Sequence, residues 1–447
     1  MGSSHVFPRN MQMTLPLAVA GEGCRIVDSS GKRYLDACGG AAVSCLGHSA
    51  RPVIDAIKRQ LDSMAYAHTA FFTSEPAEKL AETLVRLAPE GLERVYFLSG
   101  GSEANEAAIK LARQYFLEIG QTQRRYIVAR DQSYHGNTLG ALSAGGNRQR
   151  RKPFEPLLSP AFRHIDACHY WRYGQEGESP QAYALRTANA LEREIQVLGP
   201  ESVAAFIAEP VVGATMGAVP AESGYFKRIR EICDRYGLLL ILDEVMCGMG
   251  RTGSLFACEQ EGIVPDMISI AKGLGAGLQP IGALLATGRI YEAIKFGSGF
   301  FQHGHTYVGH PTACAAGVAV LQEIEERDLL LQVRRQGAKL KNALEAALGQ
   351  HTHVGNIRGR GLLLGVELVG DRSTKEPPDP ARELAAHIKR EAMDDGLLCY
   401  PMGGARGDHV LLAPPFILQD ADIAEIVDKL GRAIDRALKQ SRSGKAG

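Results

Sequence analysis

Short apolar runs alternate with amphipathic segments through the middle of the chain. The runs are mostly aliphatic, which is typical of strands, and they lie at residues 95–98, 126–129, 203–208, 238–242, 267–270 and 281–286. Between them, apolar residues recur at helical spacing, as in 103–116 and 226–236. Strands that alternate with helices predict an α/β fold with a mostly parallel central sheet and helices on both of its faces.

The two ends of the chain have a different pattern. We predict a large domain of residues 61–330 and a smaller α+β domain built from residues 1–60 and 331–447. Residues 145–185 follow no clean period and are predicted to form a long surface excursion. The elements predicted outside the central region are helices at 52–64, 76–87, 312–326, 382–394 and 421–439, a long helix through residue 340, and strands within 21–36 and at 361–366 and 410–412.

The composition is that of an ordinary enzyme. The 447 residues, 45% of them hydrophobic, are enough for a large core. The 50 basic and 50 acidic residues cancel, so neither nucleic acid nor an anionic membrane is expected as a partner. No apolar run approaches the ~20 residues of a membrane helix and no signal peptide is evident, so a cytoplasmic location is predicted. Nine scattered cysteines without CxxC spacing argue against a metal site and a disulfide framework.

An acid and a lysine follow two of the predicted strands. Asp243 ends the run 238–242, and Lys272 follows the run 267–270 and precedes several glycines. A lysine after a strand is more often a solvated surface residue, but an apolar setting lowers its pKa and makes the amine a better nucleophile. Pyridoxal phosphate needs such a lysine for a Schiff base and an acid that keeps its ring nitrogen protonated. The pair therefore favours a pyridoxal-phosphate site at the carboxyl edge of the sheet.

Three further strand ends carry candidate groups. Residues 99–102 (Ser-Gly-Gly-Ser) precede a strong helix, where backbone N–H groups and the helix dipole favour a phosphate; taken alone, a simple N-cap serine with a tight turn is the more common explanation. Tyr134 offers an aromatic face for a flat ring. His135 beside it has no matching His or Cys for a metal, and Glu209 ends another strand.

Six sequence blocks occur in the order that is characteristic of one enzyme family. They are GGSEANEAAIKLAR, SYHGNTLG, AEPVVGA, LLLILDEVMCGMGRTG, SIAKGLGAG and HGHTYVGHPTACAA. On these blocks the chain resembles the class III, or omega, aminotransferases, which are pyridoxal-phosphate enzymes of fold type I. The resemblance covers residues 21–440 and implies a homodimer, or a dimer of dimers, whose subunits share their active sites.

The resemblance also implies a role for each candidate residue. Lys272 is expected to form the Schiff base and to carry a proton, and Asp243 to pair with the pyridinium nitrogen. The other expected cofactor-binding residues are Gly101 and Ser102 at the phosphate, Tyr134 and Val245 on the two faces of the ring, His135, Glu209 as a second acid near Asp243, and Thr306 at the phosphate of the neighbouring subunit.

Several positions bear on the substrate. Ornithine and γ-aminobutyrate members of the family carry EPxxGE and an arginine before APP, where this chain has Ala214 and Leu411, so their glutamate–arginine gate is missing. Arg406 matches the mobile arginine of the amine:pyruvate and beta-amino-acid:pyruvate branch, which binds a carboxylate or swings away for an apolar amine. Ala42 stands where that branch tends to have a tryptophan, which implies a wider pocket, and Phe72 is a further substrate-binding candidate.

We therefore expect a ping-pong transaminase that moves an amino group from an amine or omega-amino acid to a keto acid, with pyruvate as the first candidate acceptor. A decarboxylating transaminase or an aminomutase is the alternative within the family. A nicotinamide-dependent dehydrogenase with residues 273–277 as its cofactor loop is disfavoured because no GxGxxG follows the first strand. A non-catalytic ligand-binding protein is disfavoured by the concentration of candidate groups at strand ends.

Overall fold

The computed structural model describes residues 5–403 and 407–443. The first elements of the chain are β1 (Ala18–Glu22), β2 (Arg25–Asp28), β3 (Arg33–Asp36), α1 (Gly39–Ala42) and α2 (Arg51–Ser63). The three strands form an antiparallel meander, and β3 also pairs in parallel with a short strand, Leu397–Leu398, from the C-terminal region. The two ends of the chain thus share one sheet, as a small domain built from both termini requires. Its predicted boundaries stay a prediction.

The central region builds a seven-stranded sheet with the order β4-β12-β11-β10-β7-β5-β6. The strand β12 runs antiparallel to its neighbours β11 and β4, and the other adjacent pairs are parallel, which confirms the predicted mostly parallel sheet. Its elements, in chain order, are α3 (Glu75–Leu87), β4 (Leu92–Leu98), α4 (Gly101–Glu118), β5 (Tyr126–Arg130), α5 (Leu139–Ala144), α6 (Arg148–Arg151), β6 (Phe162–Ile165), α7 (Tyr170–Tyr173), α8 (Pro180–Leu198), β7 (Val203–Ala208), β8 (Val211–Val212), β9 (Val219–Pro220), α9 (Tyr225–Tyr236), β10 (Leu239–Asp243), β11 (Met267–Ile270), β12 (Gly282–Thr287) and α10 (Gly288–Phe296).

The central strands are continuous apolar runs because both of their faces are covered. Phe206 and Leu240 belong to the core cluster on one face of the sheet. Their chain neighbours Ile207 and Ile241 belong to the cluster on the other face. Side chains alternate between the two faces of a strand, so a strand covered on both sides needs apolar residues at every position.

The C-terminal region forms a second, separate sheet with the order β13-β14-β17-β16, all antiparallel. Helices pack against it around a core that also includes residues of α2 and α11. This arrangement agrees with the predicted smaller α+β unit. Its elements are α11 (Pro311–Glu326), α12 (Leu329–Leu348), β13 (Val354–Arg360), β14 (Leu363–Leu368), α13 (Leu384–Asp394), β15 (Leu397–Leu398), β16 (Tyr400–Met402), β17 (Asp408–Leu412) and α14 (Asp420–Ser443).

The prediction that residues 145–185 form a surface excursion is wrong. The segment contains β6, which pairs in parallel with β5 and buries Phe162 and Ile165, and it contains the start of α8. The strand escapes notice because it is four residues long and lies at the edge of the sheet, with Arg163 and His164 between its two buried residues.

Three general expectations can be compared with the described residues. No helix in residues 5–403 and 407–443 is long and apolar enough to cross a membrane. All nine cysteines are buried and unpaired. Across the same residues, no group of three or more His, Cys, Asp or Glu side chains is arranged to hold a metal ion. The cytoplasmic location stays a prediction.

Candidate active site

A cavity of about 580 Å³ opens at the carboxyl edge of the large sheet. The turns that follow β4, β5, β7, β10 and β11 contribute to its wall, which is where parallel sheets bind their ligands. Eight residues predicted from the sequence line it together: Gly101, Ser102, Tyr134, His135, Glu209, Asp243, Val245 and Lys272.

Asp243 is the last residue of β10 and is only 3% exposed. Its Oδ2 accepts a hydrogen bond from Nδ2 of Asn105 at 2.7 Å and lies 2.8 Å from Nδ1 of His135. Its Oδ1 accepts a hydrogen bond from the backbone N–H of Val245 at 3.0 Å. Three partners fix the orientation of this carboxyl group, so it presents a rigid acceptor to the cavity.

Asn105 is a site residue that the sequence pattern does not single out. Its Nδ2 bridges Oδ2 of Asp243 and the backbone carbonyl of His135, each at 2.7 Å. Its Oδ1 is buried without a hydrogen-bond partner, and so is Nε2 of His135. One sequence signal could have revealed Asn105: it is a polar residue among the buried alanines of α4, which are Ala104, Ala107 and Ala108.

Glu209 holds the turn that carries Tyr134. It is buried after β7, its Oε1 accepts the backbone N–H of Tyr134 at 3.0 Å, and its Oε2 accepts that of Gly213 at 2.9 Å. Burial raises the pKa of Glu209; His135 opposes this shift and Asp243 adds to it. Glu209 thus acts on the site by positioning the backbone of Tyr134.

Lys272 is the second residue after the end of β11 and opens a short 3₁₀ turn, Lys272–Leu274. Its φ of 46° is in the left-handed region, which is uncommon for a residue with a side chain and is often found at functional sites. Burial lowers the pKa of its amine, and the carboxyl groups of Asp243 and Glu209 oppose that shift. In the described part of the chain the side-chain amine has no hydrogen-bond or ion-pair partner, so it is available to a ligand in the cavity.

The turn between β4 and α4 can receive an anion. The 18-residue helix α4 begins at Gly101. The backbone N–H groups of its first turn have no partner within the helix, and Gly101 and Ser102 of this turn line the cavity. A Cβ at Gly101 would lie 2.5 Å from Cγ1 of Val245, which leaves room only for glycine. The Oγ of Ser102 accepts the N–H of Asn137 at 3.1 Å, and its hydroxyl proton remains free to bind an oxygen atom.

Glu244, the acid that follows Asp243 in the sequence, is turned away from the cavity. Both oxygens of Glu244 accept backbone hydrogen bonds, from Ala257 at 2.5 Å and from Cys258 at 2.8 Å, and the residue is fully buried. Burial raises the pKa of Glu244 from 4.5 to about 7, although these hydrogen bonds oppose the shift. Glu244 is therefore a structural residue of the loop that follows β10.

This shift predicts a pH effect on stability. Because the folded-state pKa of Glu244 is raised, its contribution is fully present below about pH 4.5 and is lost as the pH rises through about 7. The difference in unfolding free energy between wild type and Glu244→Gln should thus fall by about 3 kcal/mol over that range. Thermal melts of both proteins between about pH 4.5 and 8 measure it. A difference that does not change with pH would contradict the assignment.

Four predicted residues do not line the cavity or cannot be placed. Ala42, with φ 62°, is buried in a core cluster with Leu411, and its neighbours Ala41 and Val43 line the cavity instead. Ala42 therefore does not widen the pocket directly. Phe72 is 66% exposed and Thr306 is exposed, both outside the cavity wall of their own subunit. Arg406 lies outside the described residues.

Pyridoxal phosphate fits the residues that this edge of the sheet brings together. The N-terminal turn of α4 is shaped for a phosphate, and Asp243 offers a fixed acceptor for a protonated ring nitrogen. The orphaned Oδ1 of Asn105 and Nε2 of His135 are buried polar atoms that a bound group or water can satisfy. Lys272 supplies an amine without another partner.

The sequence profile of the aminotransferase class-III family matches residues 6–434. The chain belongs to the class III aminotransferases. An uncharacterized aminotransferase of Schizosaccharomyces pombe is 45% identical over 424 residues, which are 94% of this chain and 92% of that relative. Gamma aminobutyrate transaminase 3, chloroplastic, of Solanum lycopersicum is 37% identical over 418 residues, 92% and 79% of the two chains. The PMP-bound form of an aminotransferase from Vibrio fluvialis superposes with a TM-score of 0.91 at 34% identity, covering 98% and 97%.

These findings confirm the predicted family, fold type and enzyme class. Class III aminotransferases use pyridoxal 5'-phosphate, which is therefore the cofactor of this aminotransferase. Membership of this family excludes the dehydrogenase and the non-catalytic ligand-binding protein as alternatives.

Proposed function

We propose that this aminotransferase transfers an amino group from an amine or omega-amino acid to a keto acid, with pyruvate as acceptor, by ping-pong chemistry. The observation that carries the proposal is the placement of Lys272 and Asp243 on one cavity of about 580 Å³. Solved structures of omega-transaminases with 32% identity cover 98% of the chain, which supports this donor class. Ala214 lines the cavity where a gating glutamate would stand.

Each residue of the catalytic cavity has its own role in the proposed reaction. Pyridoxal phosphate, when bound, supplies an electron-withdrawing ring that stabilises negative charge on the neighbouring carbon. Lys272 would hold the cofactor, and the same amine, once the donor has freed it, would move a proton from the substrate carbon to the cofactor carbon. Asp243 keeps a proton on the ring nitrogen, and Gly101 and Ser102 bind the phosphate. Tyr134 and Val245, which line the cavity, would contact the ring.

A donor and acceptor panel tests the proposal. Purified enzyme should be yellow, and its absorption should bleach when an aryl or alkyl amine or β-alanine is added without an acceptor. Pyruvate should restore the colour, and 2-oxoglutarate and glyoxylate are the competing acceptors. Release of carbon dioxide would identify a decarboxylating transaminase instead, and isomerisation of the donor without an acceptor would identify an aminomutase.

γ-Aminobutyrate is a second candidate donor. Relatives named gamma aminobutyrate transaminases cover 92% of the chain at 35–37% identity. The chain nevertheless has Ala214 and Leu411 in place of the glutamate–arginine gate. γ-Aminobutyrate therefore belongs in the panel, and kcat/KM above that for every simple amine would make it the donor.

We also propose that the enzyme is a homodimer whose subunits complete each other's phosphate sites through Thr306. Aromatic side chains of the segments 66–72 and 306–307 are exposed in the single subunit: Phe71 is 80%, Phe72 66% and Tyr307 56% exposed. The hydroxyl of Tyr66 donates to the backbone carbonyl of Thr306 at 2.8 Å and ties these two segments together. Such a cluster of exposed aromatic residues is typical of a protein interface.

Thr306→Ala should weaken the affinity for pyridoxal phosphate about 10-fold or more while leaving the dimer intact, because one hydrogen bond to a charged group is lost. Equilibrium dialysis measures the affinity, and sedimentation velocity measures the mass. Thr122→Ala, at an exposed threonine between α4 and β5, is the matched control. Monomers that retain the cofactor tightly at high dilution would contradict the shared site.

A further inference from the structure

The turn between β8 and β9, residues 213–218, forms part of the wall of the catalytic cavity. Its second residue, Ala214, lines that cavity. The next two residues, Thr215 and Met216, line a neighbouring cavity of about 330 Å³, which shares Arg9 with the catalytic one. The turn therefore lies between two adjoining cavities, and its position decides how much space a substrate has beside Ala214.

The turn has a backbone conformation that needs support. The N–H groups of Gly217 and Ala218 donate to the carbonyl oxygen of Gly213 at 2.9 and 3.3 Å. Gly217 has a φ of 70° and Ala218 a φ of 56°, and this left-handed region is unfavourable for a residue with a side chain such as Ala218. Such a conformation persists only when the surrounding structure fixes it.

The large sheet fixes one side of the turn. The backbone N–H of Gly213 donates to Oε2 of Glu209 at 2.9 Å, and Oε1 of the same carboxyl group accepts the N–H of Tyr134. A Cβ at Gly213 would overlap Sδ of Met246, so the turn also packs closely against the loop after β10. The turn is thus connected to other residues that line the catalytic cavity.

The C-terminal sheet fixes the other side of the turn through two hydrogen bonds. Nε2 of His409, in β17, lies 2.8 Å from the carbonyl oxygen of Ala214. Nη2 of Arg358, in β13, donates to the carbonyl oxygen of Met216 at 2.5 Å and also pairs with Glu367. The side chains of His409, Arg358 and Glu367 are all buried. Two carbonyl groups of the turn therefore depend on donors from a different sheet.

His409 donates its hydrogen bond as a neutral ring. Burial lowers the pKa of His409 to about 4, so the imidazole is uncharged at neutral pH. A neutral imidazole carries one N–H and a carbonyl oxygen only accepts, so the proton is on Nε2. The ring also packs on the turn, because a Cβ at Gly217 would lie 2.5 Å from its Cδ2. A hydrogen bond and close packing thus hold the turn against β17.

We propose that His409 is a positioning residue that fixes the β8–β9 turn and, with it, the width of the catalytic cavity beside Ala214. His409 lines the neighbouring cavity rather than the catalytic one, so it acts through Ala214. Loss of its hydrogen bond leaves a buried carbonyl group without a donor, and the turn then shifts. His409 thereby takes part in selecting amine donors by size, and this inference rests on the proposed function.

Two amide substitutions test the hydrogen bond. In His409→Gln the amide nitrogen can reach the position of Nε2 and donate to Ala214, whereas the side chain in His409→Asn is one bond shorter and cannot. Hydrogen exchange of the holoenzyme, measured by mass spectrometry on residues 213–218, should be about 10-fold faster in His409→Asn, because the turn has lost one supporting hydrogen bond. His409→Gln should exchange at the wild-type rate. Equal acceleration in both variants, or in neither, would overturn the proposal.

His164→Asn is the matched control. Nε2 of His164 likewise lies 3.0 Å from a backbone carbonyl oxygen, that of Ala144, but His164 lines neither cavity. Exchange of residues 213–218 should stay at the wild-type rate in this variant. Acceleration equal to that in His409→Asn would mean that the turn responds to any lost histidine, which contradicts a specific role for His409.

The single tryptophan of the chain, Trp171, shows whether the sheets stay together. A Cβ at Gly355 would lie 2.9 Å from its ring, so its fluorescence reports the packing of α7 on β13. The emission maximum of His409→Asn should match that of wild type. A shift to the red would show that the C-terminal sheet has loosened as a whole, and the assignment of His409 to the turn would be wrong.

Kinetics connect the turn to the substrate. In His409→Asn the KM for a small donor such as propan-2-amine should rise about 10-fold while kcat stays within about two-fold, because Lys272 and Asp243 are unchanged. The KM for the larger donor 1-phenylethylamine should rise less, since a displaced wall leaves more room. An equal fall in kcat for both donors would place the effect of His409 on the chemical step and overturn its role in donor selection.

Hydrogen exchange separates this inference from the proposed function. Faster exchange in His409→Asn than in His409→Gln, in a protein that transfers no amino group, would support the role of His409 in the turn and refute the proposed reaction. Amine turnover together with wild-type exchange in His409→Asn would support the reaction and overturn the positioning role.

Discussion

Replacing Lys272 with alanine should slow transamination by on the order of 10⁴-fold, because in the mechanism that we propose one side chain supplies both the nucleophile and the proton carrier. Within the described lining of the catalytic cavity and of the cavity beside it, Lys272 is the single lysine, so no neighbouring amine can replace it. The fold should survive, since the side-chain amine has no partner in the described residues that its removal would orphan.

Borohydride reduction followed by peptide mass spectrometry measures the loss of the covalent link between the enzyme and the cofactor. In wild type the reduced cofactor should stay on the peptide that contains Lys272, whereas Lys272→Ala should bind the cofactor without a covalent link. Lys110→Ala is the control, because Lys110 is exposed on α4 and lines neither cavity. Turnover of Lys272→Ala near the wild-type rate would refute the mechanism.

The location of Lys272 and Asp243 at one edge of the sheet can be predicted because both follow continuous apolar runs. Those runs are strands β10 and β11, which lie side by side and in parallel, so their ends meet. Asn105 is different: it contacts Asp243 across 138 positions of sequence from within a helix. A single polar residue in an alanine-rich helix does not reveal which distant carboxylate it meets.

Arg150, which lines the catalytic cavity, was missed for a related reason. Its segment, residues 145–185, has no clean hydrophobic period and is therefore predicted to be a surface excursion. The structure instead places Arg150 over Tyr134, beside Arg9 from the N-terminal segment. The N-terminal segment, the turn after β5 and the helix α6 thus meet at one cavity, and a local sequence pattern does not reveal such a contact.

Phe72 and Thr306 mark another limit of local patterns. Both are exposed in the single subunit, and only the family resemblance assigns them to a site. A residue that acts in a neighbouring subunit has the sequence pattern of an ordinary surface residue, because its burial depends on the partner. The roles of these residues stay predictions.

Asp243→Asn should slow each half-reaction by about 10²–10³-fold, the typical effect of losing one preorganised electrostatic partner. The asparagine keeps the shape and can still accept the N–H of Val245 through Oδ1. Its new amide group would face two nitrogen atoms, Nδ2 of Asn105 at 2.7 Å and Nδ1 of His135 at 2.8 Å. The amide N–H groups of Asn105 and of the new asparagine would then face each other as two donors, and the fixed negative charge of Asp243 would be lost.

Stopped-flow bleaching of the bound cofactor by an amine donor measures this half-reaction in isolation, and dialysis measures cofactor affinity in the same variant. Glu244→Gln is the matched control: it changes the adjacent acid, which is equally buried but whose carboxyl group contacts the backbone of Ala257 and Cys258 outside the cavity. If charge at the ring nitrogen is the function of Asp243, only Asp243→Asn slows bleaching. Equal slowing in both variants would mean that loss of a buried acid disturbs the loop after β10, and Asp243 would then be a structural residue.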